Sequence, residues 1–312
     1  MNDQPFKVAA VQAAPAYLDL ERGTDKAIAL IEQAAKKGVR LIAFPETWLP
    51  GYPWWIWLGA PAFGGELFTR LFESSAIAGG EYDKRISEAA RENGIHVVMG
   101  LSERDGDKIY MAQWHYDATG NVISRRRKLR PTHEERGVFG DGDKSDLVVK
   151  STELGRIGAL CCCEHLQPML KCALASQGEQ IHVAAWPGFS LYTNQAYAFG
   201  AELNLAASRI YAAETQTFVI VSCGMVSDQM LDLLCSEPSS RSLIEKGGGY
   251  ARIFGPDGDT IGEVVPPNEE GLVIAEISPI AISRAKSAAN PMAYYDLQDL
   301  DGLLYSSKPR QR

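Results

Sequence analysis

From residue 6 to residue 277, short and nearly continuous apolar runs alternate with stretches of helical periodicity, and this rhythm confines the chain to a layered α/β architecture. Apolar runs that lack polar alternation read as strands buried on both faces. Residues 6–11 (FKVAAV), 39–44 (VRLIAF), 95–101, 156–162, 181–185, 218–222 and 272–277 have this character. Helices are expected between them. One follows Thr24 as a plausible N-cap, carries Ala27, Ile28, Ile31 and Ala35 on one face, and ends at Gly38, where a C′ glycine belongs. Others are expected at 82–93, closed by Gly94, and at 168–176 and 196–214. Residues 111–117 and 122–128 flank Ala118-Thr119-Gly120-Asn121 as a hairpin, and 250–254 and 260–265 flank Asp257-Gly258 as another. The hairpins add antiparallel pairs, so the sheets should be mixed. No Pro/Ser-rich linker or solenoid-period repeat divides the chain, and a single domain is expected, with a weakly periodic tail from Asn290.

Composition narrows the function. Of 312 residues, 46% are hydrophobic and 22% charged, which excludes global disorder. Acidic residues outnumber basic ones, 39 to 31, for a net charge of -8. Such a chain is a poor binder of nucleic acid or anionic membrane, and the basic run Arg125 to Lys128 is too short to reverse that. The longest near-apolar stretch, 218–226, is half of a membrane helix. The N-terminus lacks a basic n-region and a signal-like apolar core. A cytoplasmic protein is expected. Six cysteines are too sparse for a disulfide scaffold, and no CxxC or zinc-type Cys/His spacing occurs. Cys161, Cys162 and Cys163 are consecutive. Neighbours on a strand face opposite ways, so the three cannot all ligate one metal there. Reduced thiols fit best.

Several positions could carry chemistry. Glu46 ends the run 41–46, at the rim where α/β enzymes place their sites, although a solvated loop glutamate reads the same way. Lys128 ends another strand, and alone it reads rather as one more member, after Arg125 to Arg127, of a solvated charge run, since such runs are usually surface. Cys162 closes a strand at a strand-to-helix turn, where backbone N–H groups can lower a thiol's pKa, and cysteines are also ordinary core residues. Cys161 faces the other side and is assigned to the core. Glu164 and His165 follow too closely to point at the Cys162 thiol. The aromatic run Tyr52-Pro53-Trp54-Trp55-Ile56-Trp57 is either a loop packed on the core or the wall of an apolar pocket or subunit contact. Gly247-Gly248-Gly249 is not followed by the Lys-Ser/Thr of a phosphate loop.

In combination these segments resemble the nitrilase family of carbon–nitrogen hydrolases over roughly residues 7–290. The motifs are Phe44-Pro45-Glu46, RRKLRPTH at 126–133, and Glu135-Arg136 with Phe139-Gly140-Asp141-Gly142. They continue with GALCCCEHL at 158–166, HVAAWPG at 182–188, Gln216-Thr217-Phe218 and the glycines 247–249. Gly51-Tyr52-Pro53-Trp54 together with Cys161-Cys162 looks most like the arylacetonitrilase branch. The resemblance implies an αββα sandwich that pairs through helical faces into αββα–αββα dimers. It implies a nitrilase domain at 1–289 and a tail at 290–312 involved in subunit contacts. Carried over by motif, the catalytic set is Glu46, Lys128, Cys162 and Glu135, with Tyr52, Trp54, Cys163, Trp186 and Pro187 against the substrate. Two positions depart from the family pattern. Cys163 stands where tryptophan usually follows the nucleophile, which bears on pocket size and product partition. Ala293-Tyr294-Tyr295-Asp296 replaces a Gly-His-Tyr-Ser-like stretch, which bears on assembly.

The implied chemistry is nitrile plus two waters giving carboxylic acid and ammonia. Glu46 takes the proton of Cys162, the thiolate attacks the nitrile carbon, and a thioimidate forms. Lys128 and the backbone N–H of Cys163 stabilise charge on nitrogen. Water then replaces ammonia, and a second water releases the acid. Glu135 holds Lys128 or a water, and two carboxylates around one lysine keep it charged. No metal or organic cofactor has a task. The expected partners are a small-molecule nitrile and further copies of the chain in a homo-oligomer. An amidase or a cyanide-hydrolysing member of the same superfamily is the near alternative. A non-catalytic assembly scaffold and a thiol redox or metal sensor on Cys161–Cys163 come from other classes. A scaffold needs none of Glu46, Lys128 and Cys162, and a vicinal disulfide is strained.

Overall fold

Strand β1 (Phe6–Ala13) lies at the junction of two six-stranded sheets. The computed structural model describes residues 4–59, 64–193, 195–235 and 237–294. In the first sheet β1 pairs in parallel with β2 (Val39–Ala43), which pairs in parallel with β3 (His96–Asp105). The antiparallel strands β4 (Lys108–Tyr116) and β5 (Val122–Arg127) extend it on one side. Strand β12 (Gly271–Ile277) closes it on the other side of β1, again antiparallel. The second sheet is built on the parallel set β7 (Gly155–Cys161), β8 (Ile181–Trp186) and β9 (Phe218–Gly224). Antiparallel β6 (Lys150–Thr152) flanks β7, and β10 (Arg252–Phe254) and β11 (Thr260–Ile261) follow β9. The sheets touch through one short parallel step, Gln12↔Cys223 and Ala13↔Gly224.

Side-chain alternation turns these sheets into layers. In β1, Val8 and Ala10 point into a core shared with Leu41, Ala43 and Val98 and, from the second sheet, Ile157, Val219, Val221 and Ile253. Their neighbours Ala9 and Val11 point outward with Ile42, Phe44, Val97 and Met99. That outer face is covered by helix α1 (Leu20–Lys36) through Ala27, Ile31 and Ala34. Helix α2 (Gly65–Glu73) precedes α3 (Glu81–Asn93), which adds Ile86, Ala89 and Ala90 to the same layer. Ile31 is fully buried, which contributes roughly 1.5–3 kcal/mol. The second sheet is covered by α4 (Pro168–Ala175) and α5 (Ala201–Thr215) through Leu174, Tyr211 and Ala212. The order helix, sheet, sheet, helix is the αββα sandwich expected from the sequence. Helices α6 (Asp228–Leu234), α7 (Pro238–Arg241) and α8 (Pro279–Ala288) complete the described elements.

Both expected hairpins form, with Gly120 at φ +85° and Gly258 at φ +83° in their turns. Gly94 ends α3 in the left-handed conformation. Other expectations are corrected. Asp19, not Thr24, caps α1: its carboxylate accepts from the Arg22 N–H at 3.0 Å, and Thr24 lies buried inside the helix, donating to the Leu20 carbonyl. The helix expected at 196–214 begins only at Ala201, because Gly200 is extended, and a separate 3-10 turn covers Tyr197–Phe199. The second arm of the 250–265 hairpin shrinks to Thr260–Ile261. A β-carbon on Gly248 would stand 2.1 Å from Ser190 Oγ and 2.8 Å from Phe189 backbone, so glycine there permits two chains to pass closely. The chain beyond Tyr294, including Tyr295 and Asp296, lies outside the described residues.

A third apolar cluster includes Ala14, Tyr52, Leu191 and Met225, each of which follows the carboxyl end of a parallel strand. Trp54, Trp55, Phe139 and Met230 join it. It lies at the end of the sandwich where the candidate catalytic groups emerge.

Candidate active site

Three strand ends supply the polar groups. Glu46 follows β2 and is 2% exposed. Lys128 follows β5, where its N–H still donates to the Met111 carbonyl at 2.7 Å, and it is 1% exposed. Strand period places Arg126 and Lys128 on one face, turned inward, while Arg127 turns outward to Glu103 and Asp105. Cys162 follows β7 and opens a 3-10 turn, Cys162–Leu166, with φ at +44°. A left-handed non-glycine residue costs conformational energy that surrounding contacts must hold.

Those contacts come from Glu164. Its two oxygens accept from Arg126 at 2.9 Å each, from the Leu129 N–H at 3.0 Å and from the Cys161 N–H at 2.8 Å. The carboxylate is fully buried, and this full set of donors holds it below the ordinary glutamate value against the effect of burial. Glu164 thus ties the turn after β7 to the strand that carries Lys128. Residues Arg125 to Arg127 read from sequence as a solvated charge run, but Arg126 is buried. The i, i+2 spacing of Arg126 and Lys128 was the available signal.

Lys128 Nζ donates to Glu46 Oε1 at 3.0 Å and to Glu135 Oε2 at 2.8 Å. Glu135 sits in the 3-10 turn His133–Gly137, where the Thr132 N–H donates to Oε2 and the Tyr52 hydroxyl donates to Oε1 at 2.8 Å. Trp57 Nε1 donates to that hydroxyl at 3.0 Å. Burial alone would lower the Lys128 value, but the charges of Glu135 and Glu46 outweigh it and hold the ammonium well above the ordinary lysine range. Glu46 is pushed up to about 8, chiefly by burial and further by the charge of Glu135, with Lys128 opposing. Its Oε2 is buried and has no hydrogen-bond partner among the described residues.

The thiols of Cys162 and Cys163 lie 3.7 Å apart. Donation to Cys163, then burial, holds the Cys162 thiol well above the ordinary cysteine value. Cys163 is drawn down as the acceptor. Cys161 is fully buried beside Arg126, as expected for a core residue. His165 meets the Cys162 backbone, not its thiol.

Cys162 and Glu135 line one cavity of about 190 Å3, larger than the roughly 150 Å3 apolar cavity known to hold benzene. Tyr52, Trp54, Cys163, Trp186 and Pro187 all face it. Trp57, the last member of the aromatic run, faces it too, as do Phe189 and Phe199, which no sequence motif marks. Phe199 lies far along the chain from the aromatic run and meets Trp57 edge-on at 5.3 Å.

Residues 7–287 match the carbon-nitrogen hydrolase family. A nitrilase of Pseudomonas syringae pv. syringae is 50% identical over 306 residues, 98% of this chain and 91% of that protein. The chain belongs to the nitrilase family. An arylacetone-specific nitrilase of Alcaligenes faecalis is 47% identical over 289 residues, 93% of this chain and 81% of its own length. Among solved structures, Nit3 of Saccharomyces cerevisiae, a member of branch 10 of the nitrilase superfamily, superposes with a TM-score of 0.72. It is 21% identical and covers 92% of this chain and 94% of its own, a likeness of fold. The nitrilase sandwich therefore brings together, in this chain, all nine residues that the sequence motifs had marked, either around Lys128 or around the cavity.

Proposed function

We propose that the chain hydrolyses an organic nitrile of the arylacetonitrile type to the carboxylic acid and ammonia. The observation that carries this reading is Lys128 clamped between Glu46 and Glu135 beside a cavity that holds the Cys162 thiol. A scaffold has no use for a buried ammonium with two carboxylates. The cavity's aromatic lining and its volume suit a ring carried on a nitrile.

In this reading Glu46 takes the Cys162 proton, sulfur bonds to the nitrile carbon as one C–N π bond moves onto nitrogen, and the proton passes on to that nitrogen to give the neutral thioimidate. Lys128 and the Cys163 N–H stabilise the nitrogen as charge grows there. Water adds to the thioimidate, ammonia leaves with a proton from the Glu46–Lys128 pair, and a thioester remains. A second water, again activated by Glu46, releases the acid and restores the thiol. Glu135 fixes Lys128. Tyr52, Trp54, Cys163, Trp186 and Pro187 hold the substrate. No step uses a metal or an organic cofactor.

The working form is a homo-oligomer built from a dimer of sandwiches facing through helices. Exposed Leu166, Met169 and Ile210 beside α4 and α5 support this. Residues 1–289 form the catalytic domain, and 290–312 serve subunit contacts. Six free thiols suit the cytoplasm, and no helix among the described residues is long and apolar enough to cross a membrane.

The test is ammonia release from phenylacetonitrile, phenylacetamide and cyanide, each with parent protein and Cys162→Ala. Turnover of the nitrile above the other two, lost in Cys162→Ala, is expected. Faster release from the amide or from cyanide would overturn the substrate assignment.

A further inference from the structure

Behind Cys162 runs a buried chain of hydrogen bonds that the scheme above does not use. His165 Nδ1 meets the Cys162 carbonyl oxygen at 2.7 Å. His165 Nε2 meets His182 Nε2 at 3.0 Å, and His182 Nδ1 meets Glu179 Oε1 at 2.8 Å. The Tyr211 hydroxyl donates to Glu179 Oε2 at 2.5 Å. His165, His182, Glu179 and Tyr211 are each at most 4% exposed. The rings are also fixed by stacking, His165 on Trp186 at 5.2 Å and His182 on Tyr211 at 3.9 Å.

Proton counting sets the direction of this chain. A carbonyl oxygen only accepts, so His165 Nδ1 carries a proton. Burial, then the neighbouring His182, keeps His165 from becoming an imidazolium. Its Nε2 is therefore an acceptor, and His182 Nε2 donates to it. The contact between His182 Nδ1 and Glu179 needs one more proton, held on either partner. The three contacts thus use three protons, and the group of two imidazoles and one carboxyl is neutral overall. The Tyr211 O–H, the His182 Nε2–H and the His165 Nδ1–H each donate in the direction of Cys162.

The Cys162 carbonyl and the Cys163 N–H belong to one peptide unit. A hydrogen bond accepted at the carbonyl polarises the N–H at the other end and fixes the plane of the peptide. That peptide follows the left-handed Cys162, at φ +44°. We propose that His165, held by His182 and Glu179, is a positioning residue that orients and polarises the Cys162–Cys163 peptide so that its N–H stabilises the reacting nitrogen. This inference rests on the role given to that N–H in the proposed function. Tyr211 anchors the chain from α5, so the helix layer supports the turn that bears the nucleophile.

The experiment compares His165→Phe, His165→Asn and Glu179→Gln with the parent. Phenylalanine keeps a ring against Trp186 and removes the donor. Asparagine retains an amide N–H for the Cys162 carbonyl. Glutamine at 179 supplies the third proton permanently while still accepting from Tyr211. Full loss of a stabilising donor costs about 10²–10³ in rate, so weakening one through its peptide should cost about tenfold to a hundredfold. His165→Phe should lose that much kcat on phenylacetonitrile with KM within about threefold, and His165→Asn should recover most of it. Glu179→Gln should stay within about threefold of parent, because every bond in the chain survives. Alkylation of Cys162 by iodoacetamide, read by intact mass, should be unchanged throughout, since displacing iodide does not lean on the nitrogen-stabilising donor.

A parent-like kcat in His165→Phe, an equal fall in kcat and alkylation, or no recovery in His165→Asn would overturn the proposal. If His165→Phe does not fold, 15N-histidine spectra of the parent decide: a protonated, exchange-protected His165 Nδ1 supports the proposal, and an unprotonated one overturns it. A parent that alkylates at Cys162 but releases no ammonia from nitrile would overturn the catalytic reading and this inference with it. An active parent with an unaffected His165→Phe would overturn this inference alone.

Discussion

The Pro45 carbonyl passes so close to Gly100 that a β-carbon there would stand 1.8 Å from its oxygen and 3.2 Å from Glu46 Cα. Glycine on β3 therefore lets the Glu46 backbone sit against the sheet. Gly100→Ala must push that segment away, and the obstacle is backbone, not a flexible side chain. Overpacking of this kind costs about 1–3 kcal/mol, and a displacement near 1 Å in a catalytic group can cost about 10²-fold in rate. We expect a lower melting temperature and a kcat loss of that order, measured on the same preparation. Parent-like turnover would show that Glu46 placement does not depend on this contact.

Cys162→Ala should abolish turnover and leave the melting curve close to that of the parent, because it removes the proposed nucleophile and little volume. Cys161→Ala and Cys172→Ala should keep substantial activity. Mass spectrometry during turnover should place any trapped adduct on Cys162. An adduct on Cys161 or Cys163 would reassign the nucleophile.

In the proposed mechanism Glu46 must be a carboxylate to accept the thiol proton. Burial raises it to about 8, so the working form is present above that value and is lost as pH falls through it. The profile of kcat/KM should therefore rise across this region with a single-proton slope. Glu46→Gln should lower the rate by about 10²–10⁴ and remove this limb. A limb that persists unchanged in Glu46→Gln would assign the titration to another group.

Glu164→Ala should be among the most destabilising single changes in the chain. It leaves the Arg126 guanidinium buried without its partner, a defect that costs about 3–5 kcal/mol. Urea unfolding would read the loss. A change within about 0.5 kcal/mol, typical of surface positions, would contradict the buried pair.

Cys163 faces the cavity with a side chain much smaller than the indole usual in the family. Packed sites seldom collapse fully around missing volume, so bulkier or α-substituted arylacetonitriles should be accepted. The looser intermediate should also expel thiolate, and amide should appear beside acid. Cys163→Trp should lower the amide fraction and favour small nitriles. Matching product ratios and substrate profiles in both proteins would sink the pocket argument while leaving Cys162 untouched.

The sandwich is legible because its central strands are short, nearly continuous apolar runs, such as 39–44 and 218–222, spaced by helical periodicity and bounded by turn signals. Boundaries were less so. Thr24 and Asp19 are both good capping residues, and the choice depended on which N–H the side chain reached. The helix at 196–214 was read through Gly200, whose extended backbone the periodicity does not register. At the site, Glu46, Lys128 and Cys162 end strands and so were visible as candidates, but their convergence came from motif resemblance, not from spacing. Arg126 was misplaced because a run of basic residues looks solvated until strand alternation is applied to each member. The partnership of Arg126 with Glu164 spans 38 residues and two sheets, and no local pattern encodes it.

Glu46 and Lys128 ride on one sheet, and Cys162 rides on the other. Among the described residues the two sheets share a single short strand pairing, at the end of β1, so their relative slide is governed by side chains such as the Arg126–Glu164 rivet. A slip between them would break no strand pairing within either sheet. The enzyme thus has a mode of failure that far-ultraviolet circular dichroism cannot report: full secondary structure, a thiol that still alkylates, and no base aligned to serve it.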